Sequence, residues 1–171
     1  KLLISIDQDP LGMAGSLAYK VFYSLLFSLY LFLFLFAVIN FRKRSIPWIL
    51  LVSATAAATD LISSRIIKPG FGRIRPCNDP ELASGIRMLA DYCGQNGSFT
   101  SSHAANHFGM AMFLFITLKP IWGNWCWLFF FWAAFICYAQ VYIGVHFPLD
   151  VTGGAIFGCL VGYLTARLFI H

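Results

Sequence analysis

The chain has 171 residues, of which 59% are hydrophobic, 18% aromatic and only 11% charged. Soluble domains average about 45–50% apolar and about 25% charged residues, so the composition excludes an ordinary soluble domain and predicts an integral membrane protein. The net charge of +5 comes with no RNA- or DNA-binding motif. It therefore indicates attraction to phosphate or membrane lipid headgroups and not to nucleic acid. The length leaves room for one membrane-embedded domain, residues 1–171.

The first elements are a surface segment and two apolar spans. Residues 1–15 mix apolar residues with acids and a proline, which suits a segment lying at the membrane interface and does not fit a secretory signal. Residues 17–41 are apolar on nearly all sides and long enough to cross about 30 Å of hydrocarbon. The Arg-Lys-Arg run at 42–44 marks a turn. A second span is predicted at 47–67, and its small residues favour a place inside the bundle.

A polar loop, residues 68–100, follows the second span and is rich in Gly, Pro, Asn and Asp. Loops of this length are usually functional or disordered. Cys77 and Cys93 both lie in it. They form a disulfide if the loop faces an oxidising compartment and remain thiols if it does not.

Three further apolar spans are predicted at 102–118, 122–143 and 149–169. The first has Ser101 or Ser102 as its N-cap and is expected to end at Lys119-Pro120. The last carries glycines every four residues, a stripe that allows another helix to pack backbone to backbone: Gly154, Gly158 and Gly162. The chain is therefore predicted to be an all-α polytopic transmembrane bundle of five or six spans.

Counting these crossings puts the end of span two, the start of span three, the end of span four and the start of span five on one side of the membrane. The polar motifs of the chain therefore share one face. Basic residues lie on both faces, Arg87 among those on the motif face, so the positive-inside tendency does not decide the orientation by itself. If the motif cations are set aside as functional and a Cys77–Cys93 bridge is allowed, the motifs face outward.

Fixed cations beside the membrane suit a phosphate group. Lys68 is a point charge and Arg75 a planar fork that donates two parallel hydrogen bonds. Arg73 is two residues from Arg75 and is a weaker candidate for the same role. The alternative for this set is a basic loop that contacts lipid headgroups.

Two histidines supply candidate chemistry. Neutral His146 can attack phosphorus, and Asp150 can fix its tautomer and stabilise the charge that develops. His103 follows Ser101 and Ser102 at a helix start, where free N–H groups bind anions, and it can protonate a leaving alkoxide. The alternatives are that Asp150 caps a helix and that each histidine is an interfacial hydrogen-bonding residue.

Three polar residues are candidates for supporting roles: Asn106, His107 and Asp60, an acid within a span. His103 and His107 have the i, i+4 spacing of a zinc site, but no glutamate lies between them and no third ligand is evident. No metal or other cofactor is expected.

The motifs resemble, in order, the three-part signature of the type-2 phosphatidate phosphatase superfamily, whose membrane members hydrolyse lipid phosphates. Lys68, Arg75 and Pro76 meet the first part, Lys-x6-Arg-Pro, in full. Residues 100–103, Thr-Ser-Ser-His, keep the Ser and His of the second part, Pro-Ser-Gly-His.

The third part of the signature, Ser-Arg-x5-His-x3-Asp, is matched by His146 and Asp150 but not at its first two positions, which are Ala139 and Gln140. The family binds phosphate with an arginine where this chain has Gln140. Gln140 can donate a hydrogen bond but carries no charge, and Arg73 is a candidate to compensate for it.

The resemblance implies a metal-independent lipid phosphatase. His146 would be the nucleophile, oriented by Asp150, and His103 the acid and later the activator of water. The residues implied to hold phosphate are Lys68, Arg75, the amides near Ser101 and Ser102, and Gln140.

Within the family, the compact size and the Ser-Ser-His-Ala-Ala-Asn run are most similar to small bacterial enzymes, first the lipid A 1-phosphatases, then the undecaprenyl-diphosphate and phosphatidylglycerophosphate phosphatases. The expected location is the bacterial inner membrane, with the site facing the periplasm. Gln140 also raises an alternative from another class, a catalytically impaired protein that binds or transports phospholipids.

Overall fold

A computed structural model describes residues 31–82, 85 and 93–171. The surface segment predicted at 1–15, the first half of the span predicted at 17–41, and Arg87 lie outside the described residues. Every regular element within them is helical, which confirms the all-α class. The chain divides into two compact units, Lys1–Ile49 and Leu50–His171.

The described part of the first unit is a helix, α1, at residues 31–41, followed by a 3₁₀ turn at Arg42–Arg44 and the start of α2, Ser45–Ile62. Phe41 and Trp48 stack at 5.4 Å between ring centroids across this turn. The turn lies where the Arg-Lys-Arg run predicted one.

The second unit begins within α2. The continuous helical run that starts with α2 covers residues 45–71 and is longer at both ends than the span predicted at 47–67. A π-helical turn, Ser63–Ile67, continues it into α3, Lys68–Phe71. Pro69 has no N–H to donate to the preceding turn, and a π-turn just before it accommodates the missing bond. Gly72 then ends the helix in the left-handed conformation at φ 57°. The first four residues of the predicted loop 68–100 are therefore helical.

The next two helices are α4, Ser102–Trp122, and α5, Trp127–Tyr142, joined by a 3₁₀ turn at Gly123–Cys126. Ser101 caps α4 by accepting a hydrogen bond from the N–H of Ala104. The prediction that Lys119-Pro120 ends this helix was wrong. A proline in the last turn removes only one backbone bond, and the chain leaves the helix at Gly123, whose φ is 56°.

Aromatic contacts show that α4 and α5 run antiparallel. Phe115, late in α4, lies 4.9 Å from Trp127 at the start of α5 between ring centroids. Phe108, earlier in α4, lies 6.1 Å from Phe130. Ala104 clusters with Cys137 near the other end of the pair.

The last helix, α6, covers Pro148–Ile170 and runs parallel to α4. The glycine stripe explains their close approach, as predicted from the sequence. A Cβ on Gly158 would lie 2.2 Å from the carbonyl oxygen of Ala105, and one on Gly162 would lie 2.1 Å from that of Gly109. Any side chain on these glycines would force the helices apart.

Polar side chains join α2 to these helices. Thr59 Oγ1 donates to Asn106 Oδ1 at 2.6 Å, and the hydroxyl groups of Thr55 and Thr165 lie 2.6 Å apart. Further along, Ser63 Oγ lies 3.1 Å from Ser102 Oγ. These pairs make α2 antiparallel to α4. As a result, the end of α3, the start of α4, the end of α5 and the start of α6 meet at one end of the unit.

By length and composition, three helical segments of the described residues can cross a membrane: Leu31–Phe71, Ser102–Tyr142 and Pro148–Ile170. The first contains a 3₁₀ break at the predicted boundary, Arg42–Arg44, and the second contains one a few residues after the predicted boundary, Gly123–Cys126. The total of five or six spans stays a prediction.

Candidate active site

A cavity of about 470 Å³ opens where these helix ends meet. Its wall combines residues from α2, α3, α4 and α5 with residues from the loops between them: Asp60, Ser64, Lys68, Arg75, Gly94, Asn96, Ser102, His103, Gln140, Ile143, Val145 and His146. Most of the predicted site residues are therefore brought together, although they lie far apart in the sequence.

Lys68 enters this cavity from the first turn after the π-helix and is only 4% exposed. Within residues 31–82, 85 and 93–171, its ammonium group has no hydrogen bond or salt bridge. No fully buried side-chain nitrogen or oxygen of the described residues lacks a hydrogen-bond partner, so the Lys68 ammonium reaches the open cavity, where an anion can bind it. Lys68 is thus prepared to bind a phosphate oxygen.

Arg75 is held rigidly by the loop opposite it. Its Nε donates to the carbonyl oxygen of Asn96 at 3.0 Å and its NH2 donates to Asn96 Oδ1 at 2.9 Å. The remaining NH1 lies 3.4 Å from Nε2 of His146. The Arg75 guanidinium is thereby fixed beside the imidazole nitrogen that faces the cavity.

A disulfide joins Cys77 to Cys93, with 6.0 Å between their Cα atoms. The sequence left this bridge open. The bridge connects the residues just after Arg75 to the segment that carries Asn96. Asn78 Nδ2 also donates a hydrogen bond to the carbonyl oxygen of Gly94 at 3.0 Å. The bridge therefore helps to hold Asn96 against Arg75.

His146 is linked to Asp150 through a residue that the sequence did not single out. Ser98 Oγ donates to Asp150 Oδ2 at 2.5 Å, and the same Oγ lies 3.4 Å from His146 Nδ1. The direct distance from Nδ1 to Oδ2 is longer, 3.6 Å. Because the Ser98 proton is used on Asp150, its oxygen is left to accept the Nδ1 proton. This assigns the tautomer in which Nε2 is unprotonated and accepts a hydrogen bond from Arg75 NH1.

Asp150 is completely buried and fully engaged. Arg73 NH1 lies 3.0 Å from its Oδ1, and the backbone N–H of Phe147 donates to its Oδ2 at 2.9 Å. The Arg73 guanidinium also lies over the Phe147 ring, 4.2 Å from its centroid. Arg73 therefore pairs with Asp150. It lines a neighbouring cavity with Lys68 and Arg75 and not the histidine cavity, and compensation for Gln140 by Arg73 stays a prediction.

Burial, followed by the positive charges of Arg75 and Lys68, lowers the pKa of His146 from 6.5 to about 4, although Asp150 acts in the opposite direction. The imidazole is then neutral near pH 7. A neutral His146 with its lone pair directed at a cationic cavity is able to attack a phosphorus atom held there.

The start of α4 provides two residues to the cavity, Ser102 and His103. Ser101 is different. It is completely buried, its N–H donates to the carbonyl oxygen of Asp150 at 3.0 Å and its Oγ caps the helix. Ser101 thus joins α4 to α6 without facing the cavity, and the amides of the next residues remain for an anion.

Asn106 and His107 lie one turn further along α4 and do not line the cavity. Asn106 accepts the hydrogen bond from Thr59 described above. In the described part of the chain, no group of three or more His, Cys, Asp or Glu residues is arranged to hold a metal ion. The expectation of a metal-free site stays a prediction.

Fold and site together define a helical membrane protein whose apolar bundle carries a cationic, histidine-containing cavity at one end. The family model for the PAP2 superfamily matches residues 47–170, which is most of the chain. The chain belongs to this superfamily, as the three-part signature predicted.

Among curated proteins, the chain is 29% identical over 114 residues to the lipid A 4'-phosphatase of Porphyromonas gingivalis, covering 66% of this chain and 47% of that protein. It is 32% identical over 125 residues to the lipid A 4'-phosphatase of Bacteroides thetaiotaomicron, covering 71% of this chain and 54% of that protein. The chain spans about half the length of these relatives.

A solved structure with the same fold is the crystal structure of a transmembrane PAP2-type phosphatidylglycerolphosphate phosphatase from Bacillus subtilis. The match has a TM-score of 0.53 at 22% sequence identity and covers 95% of this chain and 78% of that one. At this identity the likeness concerns the fold alone.

Proposed function

We propose that the chain is a metal-independent lipid phosphatase that transfers a phosphoryl group to His146 and then to water. The observation that carries the proposal is the position of neutral His146 Nε2, 3.4 Å from the Arg75 guanidinium, in a cavity that also contains His103 and Lys68. An attacking group, two phosphate ligands and a proton donor are the parts that such a transfer needs.

In the first step, Lys68, Arg75 and the amides at the start of α4 bind the phosphate oxygens. Nε2 of His146 attacks phosphorus while the bond from phosphorus to the ester oxygen breaks. The bound phosphate dianion offsets the charges of Lys68 and Arg75, so that His103 is protonated in the complex and gives its proton to that oxygen, and the alcohol leaves in its neutral form. Ser98 and Asp150 stabilise the imidazole as it becomes positively charged.

In the second step, His103, now neutral, removes a proton from water as the water oxygen attacks the phosphohistidine. The bond from phosphorus to Nε2 breaks, inorganic phosphate leaves and His146 is neutral again. Each histidine therefore ends the cycle in the state in which it began.

For the substrate, the names of the two curated relatives favour lipid A and its 4'-phosphate over the 1-phosphate that the sequence placed first. We take the 4'-phosphate as the proposed substrate. Lipid A 1-phosphate, undecaprenyl diphosphate and phosphatidylglycerophosphate are the compounds against which it has to be tested.

We place the protein in the bacterial inner membrane with the site facing the periplasm. The Cys77–Cys93 bridge supports this orientation, because disulfides persist in the periplasm and are rare in the cytosol, and the bridge lies beside Arg75. We also propose that residues 1–171 belong to a single membrane-embedded domain.

The test is release of inorganic phosphate by the full chain in detergent from lipid A carrying a single phosphate, at either the 4' or the 1 position. We expect release from the 4' compound, unaffected by a chelator and absent in His146→Ala. His171→Ala is the matched control, because His171 is exposed and lies at the far end of α6. Release that survives His146→Ala would overturn the mechanism.

Gln140 supports a second candidate, a protein that binds lipid phosphates without hydrolysing them, because the cavity lacks one cation of the family signature. Gln140→Arg separates the two. A large gain in turnover indicates an enzyme limited by the missing charge, whereas binding without turnover in either form indicates the binding protein.

A further inference from the structure

Asp60 is an acid on the wall of a cavity that otherwise attracts anions. It lies on α2 about two turns before Lys68, with Ser64 between them, and all three line the cavity. Across the described ranges, the Asp60 carboxylate makes no hydrogen bond or salt bridge. An acid cannot contact a phosphate dianion favourably, so it faces a different part of the ligand.

Lys68 interacts electrostatically with Asp60, and the residue at position 140 does not add a second cation. The family signature has an arginine there, and an arginine on this wall is able to neutralise a nearby carboxylate. Gln140 lines the same cavity and cannot do so. Arg73 is not available either, because it pairs with Asp150.

The position of Asp60 along α2 assigns it to the leaving-group side of the site. Thr59, its neighbour, donates to Asn106 in the first turn and a half of α4, so this part of α2 is level with the turn that carries His103. Asp60 and His103 also interact electrostatically. In the proposed reaction His103 protonates the ester oxygen, so the alcohol attached to that oxygen lies beside Asp60.

We propose that Asp60, whose carboxylate makes no salt bridge among the described residues, accepts hydrogen bonds from the alcohol portion of the substrate. The site would then prefer phosphate esters whose alcohol carries hydroxyl or amide N–H groups close to the ester oxygen, as a sugar does. The cavity volume of about 470 Å³ lies in the range of small-molecule pockets and holds more than a phosphate group. This inference rests on the proposed function.

The test compares two lipids in the His146→Ala background, where binding is measured without turnover. One is a glycolipid with its phosphate on a sugar carbon, and the other is phosphatidic acid, whose glycerol carries no hydrogen-bond donor. Dissociation constants are measured with and without Asp60→Ala. Asp79→Ala is the control, because it removes an acid that lies outside the cavity.

We expect Asp60→Ala to raise the dissociation constant of the glycolipid about tenfold, because hydrogen bonds to a charged acceptor are among the stronger ones. The dissociation constant of phosphatidic acid should change by less than about twofold. Equal changes for both lipids would overturn the inference, since Asp60 would then act through His103 or on the phosphate. No change for the glycolipid, or no binding of it, would overturn it as well. If Asp60→Ala weakens glycolipid binding as expected but the wild-type protein releases no phosphate, the proposed reaction is wrong and the role of Asp60 in binding the alcohol portion still stands.

Discussion

Helices α4 and α6 contact each other in two different ways along their length. In the middle, Gly158 lies against the backbone of Ala105, and the contact depends on the absence of a side chain. At the start, Ser101 N–H donates to the Asp150 carbonyl oxygen. The buried Asp150 carboxylate forms a salt bridge with Arg73 and accepts a hydrogen bond from Ser98. The first contact concerns stability and the second places the chemistry, so substitutions in the two regions are expected to fail in different ways.

The largest effect is expected in the glycine region. Gly158→Ala places a Cβ 2.2 Å from the Ala105 oxygen, which is backbone and cannot move aside, so we expect a loss of stability of about 3 kcal/mol or more. Thermal unfolding in detergent and the yield of folded protein measure it. Gly70→Ala is the control, because a Cβ there meets nothing within 4 Å. A Gly158→Ala protein that unfolds like wild type would show that the close contact is not needed.

At Lys68 a substitution is expected to lower activity and not stability. Lys68→Met removes a phosphate ligand, and we expect kcat/KM to fall about a hundredfold. The free energy of unfolding should stay the same or rise, because Lys68 is mostly buried, makes no salt bridge among the described residues and is replaced by an apolar side chain. Lys119→Met, at the far end of α4, should leave activity unchanged. Activity retained in Lys68→Met would remove Lys68 from the site.

Stability should also depend on pH through His146. Its pKa is about 4 in the folded protein and near 6.5 when unfolded, so the unfolded state binds the extra proton first as the pH falls. The contribution is complete above about pH 6.5 and declines toward pH 4. Between pH 7 and pH 5 we expect a loss of about 2 kcal/mol. Comparing the free energy of unfolding of wild type and His146→Asn at both pH values isolates the contribution of His146. An identical pH dependence in the two proteins would contradict this prediction.

The smallest effect is expected at Ser98. Ser98→Ala removes the bridge between His146 Nδ1 and Asp150 Oδ2, and we expect kcat to fall about tenfold with KM unchanged, because the phosphate ligands remain. Thr152→Ala, which removes an exposed hydroxyl from the first turns of α6, is the control. A rise in KM of similar size would indicate a general disturbance of the cavity and not a loss of imidazole orientation.

Much of the site could be predicted from the sequence because its residues are tied to helix ends, and helix ends follow from hydrophobic length. Lys68, His103 and His146 were assigned to one face in this way, and the structure places them on one cavity. Ser98 could not be found, because it lies in a run of small polar residues with no periodicity, and its role depends on contacts with residues 48 and 52 positions away.

The helix boundaries show the same limit. A proline predicts the end of a helix at position 120, and the polar composition predicts a loop from position 68. In both places a glycine with positive φ ends the helix instead, Gly123 and Gly72, after a proline that the last turns accommodate. Local propensity alone does not show which of two helix-breaking residues three positions apart ends the helix.

The covalent link between Cys77 and Cys93 closes a loop with a sequence separation of 16. Asn96, which holds the Arg75 guanidinium, follows this loop by three residues, so the bridge fixes the point from which Asn96 reaches Arg75. Labelling of the reduced Cys77 and Cys93 thiols with a reagent that does not cross membranes would therefore report which compartment the Arg75 side of the cavity faces in intact cells.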